Sequence, residues 1–414
     1  MNKAEAIGKY LDLIEESSNK YPSKTDLLYK YQMPSMRFND IIKFKQEDVN
    51  NKQKYFDKIN LKNETTGFLH YHLNDEIEFN LMASDKLISN SKHYDKFNIK
   101  NENILNGFLF SEIEYSLKIE GVRSTRAKIE TISKTEYADL KDQNSIIVKN
   151  MIEGYNYILD KEINKNTMYE LYNILSNECL AKDEVLLPGY LYRHDGVNII
   201  GGNEKVVDKG VNQKNITMMM DMLFDYINEQ KTDFSNLLAP HVIHYYLIYI
   251  HPYFDYNGRM ARVLAFWYNR NFFPVIGNMF ISEAINQKTV KNNYYKAITN
   301  SREMENDITY FISFLSRLSL EFTYLYLNYY EILETLDNNQ ATGTKALNSM
   351  IITLLKVNKE FNWKEFKEID ENDYNKQYYL KMLNLLVDKD VLKARIVKKA
   401  KLFKLNIKFC ELYK

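Results

Sequence analysis

His251-Pro252-Tyr253-Phe254-Asp255-Tyr256-Asn257-Gly258-Arg259-Met260-Ala261-Arg262 lies between two apolar runs, and its reading sets how the chain around it folds. Upstream, Val242, Tyr245, Tyr246 and Tyr249 recur at helical spacing, and the residue before a proline is pushed out of helical dihedrals, so His251 closes a helix. Downstream, Val263-Leu264-Ala265-Phe266-Trp267 opens another. The twelve residues are therefore a loop feeding a helix N-terminus. Unpaired backbone N–H groups and the positive end of the helix dipole make an anion site there, around Asn257, Gly258 and Arg259. Arg259 and Arg262, three apart, project from one face of the first turn toward the same anion. Asp255 is a hard oxygen donor suited to Mg2+. His251 carries the side chain that titrates nearest neutrality, suited to taking a proton from a hydroxyl. Alone, each residue would be a helix end, a cap or a solvated arginine. At this spacing they form the inventory for holding a nucleotide triphosphate.

The chain has 414 residues, more than one hydrophobic core usually fills, and balances 55 basic against 55 acidic residues. The whole molecule is thus no polyanion binder, and any nucleic-acid surface must be local. Two cysteines, Cys179 and Cys410, lie far apart, which argues against a disulfide framework and fits a reducing compartment. Met1-Asn2-Lys3-Ala4-Glu5 opens no signal peptide, and no run of about eighteen apolar residues occurs, so the sequence reads as a soluble, cytoplasmic protein with no membrane partner.

Only six prolines and thirteen glycines interrupt the chain, so the expected class is all-α with a short β-hairpin. Residues 1–95 read as an N-terminal helical region, with polar stretches such as Asn50-Asn51-Lys52-Gln53-Lys54 and no chemistry. Residues 96–335 read as a helical domain, interrupted where Pro188-Gly189-Tyr190-Leu191-Tyr192-Arg193 leads into Val197-Asn198-Ile199-Ile200 and a Gly201-Gly202-Asn203 turn, a short hairpin. A linker at 338–344 precedes a domain at 341–414. There, helices at Lys345–Leu355, Lys364–Ile369 and Asn375–Val387 are followed by strands Val391–Val397 and Leu402–Phe409, joined by Lys398-Lys399-Ala400-Lys401. Three helices and a hairpin make a winged-helix-like α+β domain. Lys393, Arg395, Lys398, Lys399, Lys401, Lys404 and Lys408 would give its wing a basic face, alternating with apolar residues and including Asn406. Such a face suits either DNA phosphates or protein contacts.

The loop resembles the signature of the Fic family, H-P-F-x-D/E-G-N-G/K-R-x-x-R, with Tyr256 where the family has its first glycine. The resemblance covers roughly residues 104–325. His244 and Ile250 match the family's lead-in, with Leu247 in place of an aromatic residue. Gly189 to Gly202 looks like its flap hairpin, on which Val197, Asn198, Ile199 and Ile200 would dock a target segment by strand addition. Ser282 and Tyr294-Tyr295-Lys296-Ala297-Ile298 resemble the border of the adenine pocket, with Tyr295 among the nucleotide contacts. Ser116-Leu117-Lys118-Ile119-Glu120-Gly121 resembles the family's inhibitory motif, S/T-x-x-x-E-G/N, on a helix about 104–121 that precedes the loop, the class II arrangement. Ser116 and Glu120, four apart, share one helix face, and Gly121 is placed to end the helix so that Glu120 projects from its last turn.

The resemblance implies a self-inhibited protein adenylyltransferase using ATP and Mg2+. His251 would deprotonate a Ser, Thr or Tyr hydroxyl of a protein, and that oxygen would attack the α-phosphorus of ATP. Asp255 would bind Mg2+, Asn257 and the Gly258 amide the α-phosphate, Arg259 the β-phosphate and Arg262 the γ-phosphate. Glu120 would pair with Arg262 and displace the γ-phosphate. Gly258, where a phosphorylating subfamily has lysine, favours AMP transfer. The same residues would serve a hydrolase that removes AMP, and a third reading is a DNA-binding regulator that senses nucleotide. Self-modification, a homodimer and DNA contact through the wing are further expectations. Tyr256 is the departure: where glycine permits positive φ, tyrosine costs of order 1 kcal/mol or more.

Overall fold

The structure, a computed structural model, describes residues 1–16, 20–64, 67–90, 102–200, 206–272, 281–286, 288–336, 345–355, 357, 359–370, 374–398 and 400–406. With so few breakers, helices dominate: α1 (Lys3–Glu15), α2 (Ser35–Glu47), α3 (Asp75–Ser89), α4 (Glu102–Ile119), α5 (Arg126–Ser133), α6 (Gln143–Tyr157), α7 (Lys165–Ser176), α8 (Gln213–Asn228), α9 (Asp233–Ile250), α10 (Asn257–Phe272), α11 (Ile281–Asn286), α12 (Lys288–Glu303), α13 (Thr309–Thr335), α14 (Lys345–Leu355), α15 (Trp363–Ile369) and α16 (Lys376–Asp388). Short antiparallel pairs accompany them: β1 (Asp57–Lys62) with β2 (Phe68–Tyr71), β3 (Asn198–Ile200) with β4 (Val206–Lys209), and β5 (Leu392–Val397) with β6 (Ala400–Leu405). The mainly helical class with a small hairpin is the one observed.

The chain forms two compact units, Met1–Asp85 with Asn98–Ser319, and Lys86–Phe97 with Leu320–Lys414. In the first, α9 is apolar on every side and buried from Leu237 to Leu247, so it runs through the core with α10 packed along it. A purely helical prefix is expected of the first ninety residues, and the structure corrects this with the β1–β2 hairpin. Ile59 and Leu61 point inward, alternating with residues that are not buried. The hairpin docks on α9: Tyr246 donates its hydroxyl proton to the Lys62 carbonyl at 2.8 Å, and the Glu64 amide donates to the Tyr249 hydroxyl at 2.9 Å. Nearby, Lys45 and Asp307 form an ion pair of 2.6 Å, both side chains at most 1% exposed.

The second unit gathers α14, α15, α16 and the β5–β6 hairpin around Leu354, Phe361, Phe366, Leu383 and Phe403. Its register pairs Val397 with Ala400, so β6 begins at Ala400. Ala400 and Lys401, expected in the turn, belong to β6, where they pair with Val397 and Ile396. Asn406 is also corrected. It lies beyond β6, is buried, and donates from Nδ2 to the Asp390 carbonyl at 2.8 Å, so it is no part of a basic face. Lys399, Lys408, Cys410 and the expected linker at 338–344 lie outside the described residues. Among the described residues, no helix is long and apolar enough to cross a membrane.

Candidate active site

The site is built where α9 stops. The carbonyls of Ile248, Tyr249, Ile250 and the capping His251 have no partner within the helix, and two arginines reach all four. Arg302 Nη2 donates to the Ile248 and Tyr249 carbonyls at 3.0 and 3.2 Å. Arg193 Nη2 reaches the Ile250 carbonyl at 3.5 Å, and its Nε donates to the His251 carbonyl at 2.7 Å. Cationic side chains also complement the negative end of the helix dipole. His251 itself caps α9 in the left-handed region, φ 53° and ψ 59°, with its amide still bonded to the Leu247 carbonyl at 3.0 Å. Desolvation, with Arg302 adding positive charge, pulls the His251 ring down to about 4, so it is neutral at pH 7 and free to accept a proton.

Beyond His251 the loop is braced from inside. The Asn257 side chain accepts from the Tyr253 amide at 3.0 Å and donates to the Tyr253 carbonyl at 2.9 Å. Behind it the Tyr253 ring stacks on Tyr172, centroids 3.8 Å apart. Asn257 therefore shapes the turn that aims the α10 N-terminus, with its carboxamide already engaged. Asp255 accepts from the Tyr256 amide at 2.6 Å and holds Arg259 at 3.3 Å, with its own side chain half exposed.

The other wall is α4. Its C-terminus closes as a Schellman motif, Val122 amide to Leu117 carbonyl and Gly121 amide to Lys118 carbonyl, with Gly121 at φ +81°. Lys291 donates to the Ile119 carbonyl at 2.5 Å. Glu120 is left projecting from this end, its Oε1 2.7 Å from Arg262 Nη2. Arg262, almost fully buried, is also held by the Ser116 hydroxyl at 2.9 Å and the Ser116 carbonyl at 3.2 Å. The carboxylate lies over the start of α10: a methyl built on Gly258 would come within 2.6 Å of Glu120 Oε1. Burial would raise its pKa, but Arg262 and Arg259 beside it hold it below the usual carboxylate range. The Glu120 carboxylate thus sits between Arg262 and the first turn of α10.

Residues 161–268 match the model of the Fic/DOC family. The chain carries a Fic domain. A solved Fic family protein from Desulfovibrio desulfuricans shares the fold at 17% identity and TM-score 0.53, over 81% of this chain and 97% of that one. A Fic domain containing signaling protein from Bacteroides thetaiotaomicron aligns at 19% identity and TM-score 0.44, over 61% and 96% of the two chains. Fic-1 from C. elegans aligns at 15% and 0.43, over 62% and 73%. A search of curated proteins returns no match.

Within the Fic domain, His251, Asp255, Gly258, Arg259 and Arg262 line the loop and the α10 N-terminus, and Ser116 and Glu120 bind Arg262 from 146 and 142 residues upstream. Tyr294 turns inward, its hydroxyl 3.0 Å from His244 Nε2, while Tyr295 is 46% exposed. On the flap, Val197 accepts from the Gly210 amide at 3.0 Å, and Asn198 and Ile199 pair with Lys209 and Asp208. Gly201, Gly202 and Asn203 lie outside the described residues. Arg302, Lys291, Tyr172 and Glu112 are among the partners that escape sequence reasoning. Glu112 binds the Ser282 amide at 3.2 Å and the Ser282 hydroxyl, and burial pushes its carboxyl up to about 7 against those bonds. It precedes Ser116 by one helical step of four, the one signal that could have found it.

Tyr256 does take positive φ, +70°, with its ring 2% exposed. The ring compensates by stacking on Arg259, whose Cζ lies 3.4 Å from its centroid. Arg259 Nε and Nη1 are buried there with no hydrogen-bond partner among the described residues. The strain is worth about 1–2 kcal/mol, a desolvated cation–π pair about 2 kcal/mol, and burial of the ring itself about 3 kcal/mol or more. Tyr256→Gly is therefore expected to lower the melting temperature, with Tyr256→Phe near the parent; a rise in the glycine variant would show that strain outweighs stacking.

Proposed function

We propose that the chain is a self-inhibited protein adenylyltransferase, and the observation that carries this reading is Glu120 paired with Arg262 across the α10 N-terminus. A site that holds a carboxylate among two arginines and helix-end amides suits a polyphosphate once that carboxylate leaves. Arg259 supports the reading, because its buried, unpartnered Nε and Nη1 ask for an anion. Asp255 Oδ2 is held, among the described residues, only by the 3.3 Å contact with Arg259 and lies on a half-exposed side chain, so Asp255 would hold Mg2+, which would neutralise phosphate charge.

In the proposed reaction, neutral His251 takes the proton of a target hydroxyl seated by the flap. The oxygen forms a bond to the α-phosphorus of ATP, and the bond from that phosphorus to the bridging oxygen breaks. Pyrophosphate leaves, and AMP stays on the protein. Positioning and charge neutralisation supply most of the acceleration in such transfers.

Glu120→Gly protein incubated with Mg2+ and ATP labelled at either the α- or the γ-phosphorus tests this. Protein-bound label is expected from α-labelled ATP alone, with the γ-label recovered in pyrophosphate. Label from the γ-position, or none from either, sinks the proposal. Release of AMP from already modified protein would move the assignment to the hydrolase.

A further inference from the structure

Arg302 does more than cap a helix. Its Nη1 also pairs with Asp208 Oδ2 at 2.5 Å and donates to the Lys209 carbonyl at 3.2 Å, both on flap strand β4. One guanidinium thus holds two carbonyls of α9 and two groups of the flap. The exit of β4 follows the same end of α9: the Val211 amide donates to the Ile250 carbonyl at 3.2 Å. At Gly210 even a methyl has no room, since it would come within 2.7 Å of Arg193 Nη2 and 3.2 Å of His251 Cβ.

A non-glycine residue in the left-handed region persists only where its surroundings over-determine it. At His251 those surroundings are the Leu247 carbonyl on its amide, Arg193 on its carbonyl, and Arg302 on the turn before it. We propose that Arg302 is a positioning residue for His251 that also ties flap strand β4 to the base-bearing end of α9. A target segment that pulls on the flap then pulls on the helix end presenting the base.

The charged groups that act on His251 are Arg302 from α12, Arg193 from the segment before β3, and Glu120 from the end of α4, with Asp208 of β4 facing Arg302. Removing the Arg302 charge makes the imidazolium less unfavourable, so the His251 midpoint moves up.

The kinetic half of the test rests on the adenylyl-transfer reading; the spectroscopic half does not. In the Glu120→Gly protein, ring titration of His251 by NMR without nucleotide is compared with and without Arg302→Gln. The midpoint is expected to rise by about one unit. With ATP and Mg2+, kcat is expected to fall about ten- to hundredfold, while KM for ATP stays unchanged, because Arg302 lies off the phosphate site. Asp208→Asn is expected to leave the midpoint in place and to raise KM for the protein target. A folded Arg302→Gln with midpoint and kcat unmoved, or with KM for ATP raised instead, overturns the proposal. Should Arg302→Gln not fold, Arg302→Lys is expected to hold the midpoint and lose kcat, and an unchanged kcat overturns it equally. If Glu120→Gly transfers nothing, the adenylyl-transfer reading fails and the midpoint alone decides the role of Arg302.

Discussion

Replacing Glu120 by glycine is expected to raise AMP transfer about thirtyfold or more. On the proposed reading, Arg262 would not serve a γ-phosphate while it holds Glu120 at 2.7 Å, and the carboxylate lies where the α10 N-terminus would meet phosphate. Opening a desolvated, hydrogen-bonded charge pair of this kind costs about 2 kcal/mol at the low end, which converts to about thirtyfold in the fraction of protein able to bind ATP productively. The substitution removes that competition and leaves Arg262 on Ser116 through the 2.9 and 3.2 Å bonds, so the arginine stays near its place. His251→Ala in the same background should return transfer to baseline. Measured rates that rise less than about threefold would mean that Glu120 is only a helix-end carboxylate. A rise that survives His251→Ala would mean that another group takes the proton.

The largest loss of stability is expected from Asp307→Ala, about 3–5 kcal/mol. Asp307 binds Lys45 at 2.6 Å, accepts the Tyr21 hydroxyl at 2.5 Å, and accepts the Thr309 amide at 3.0 Å, all inside the core. Truncation leaves a buried ammonium without its counter-charge, and a domain is usually stable by only about 5–15 kcal/mol. Lys45→Met with Asp307→Leu should be much milder, since no charge is left uncompensated. Urea unfolding of the three proteins checks this; a midpoint for Asp307→Ala close to the parent would show the pair to be dispensable.

The pH dependence has a definite sign. Burial alone would raise the Asp307 carboxyl, but Lys45 and His70 bring it down to about 2, so its contribution is present above the unfolded value near 4 and is lost as pH falls toward 2. His70 and His241, lowered by burial to about 4 and about 3, act earlier. The unfolded chain takes up their protons first, so stability declines as pH drops below about 6.5.

Much of the site is legible because it is local. The His-Pro step ends α9, Gly121 ends α4, and the spacing of Ser116 and Glu120 sets them on one face, so the chemistry can be read along single elements. What cannot be read comes from distant partners. Nothing near Lys45 announces Asp307, which lies 262 residues later, and nothing near His251 announces Arg302. The β1–β2 hairpin carries an alternating signal in Lys58-Ile59-Asn60-Leu61-Lys62, but one five-residue pattern amid Asn and Lys is easily taken for loop. Asn406 continues the alternation of β6 in sequence, while the backbone leaves the strand at Leu405 and turns the amide inward. The positive φ of Tyr256 is legible only as a substitution for glycine. That the side chain would recover the strain by stacking on Arg259 is a matter of rotamers, which a sequence does not display.

Because Glu120 precedes Arg262 by 142 residues, the two are not made together. At about 5–20 residues per second, the end of α4 leaves the ribosome roughly seven to thirty seconds before the arginine it covers. On the proposed reading, the loop emerges with its inhibitor already synthesised, and each new copy passes from nascent chain to folded protein with no interval in which the loop exists and Glu120 does not. An inhibitor placed after the loop would leave such an interval in every round of translation.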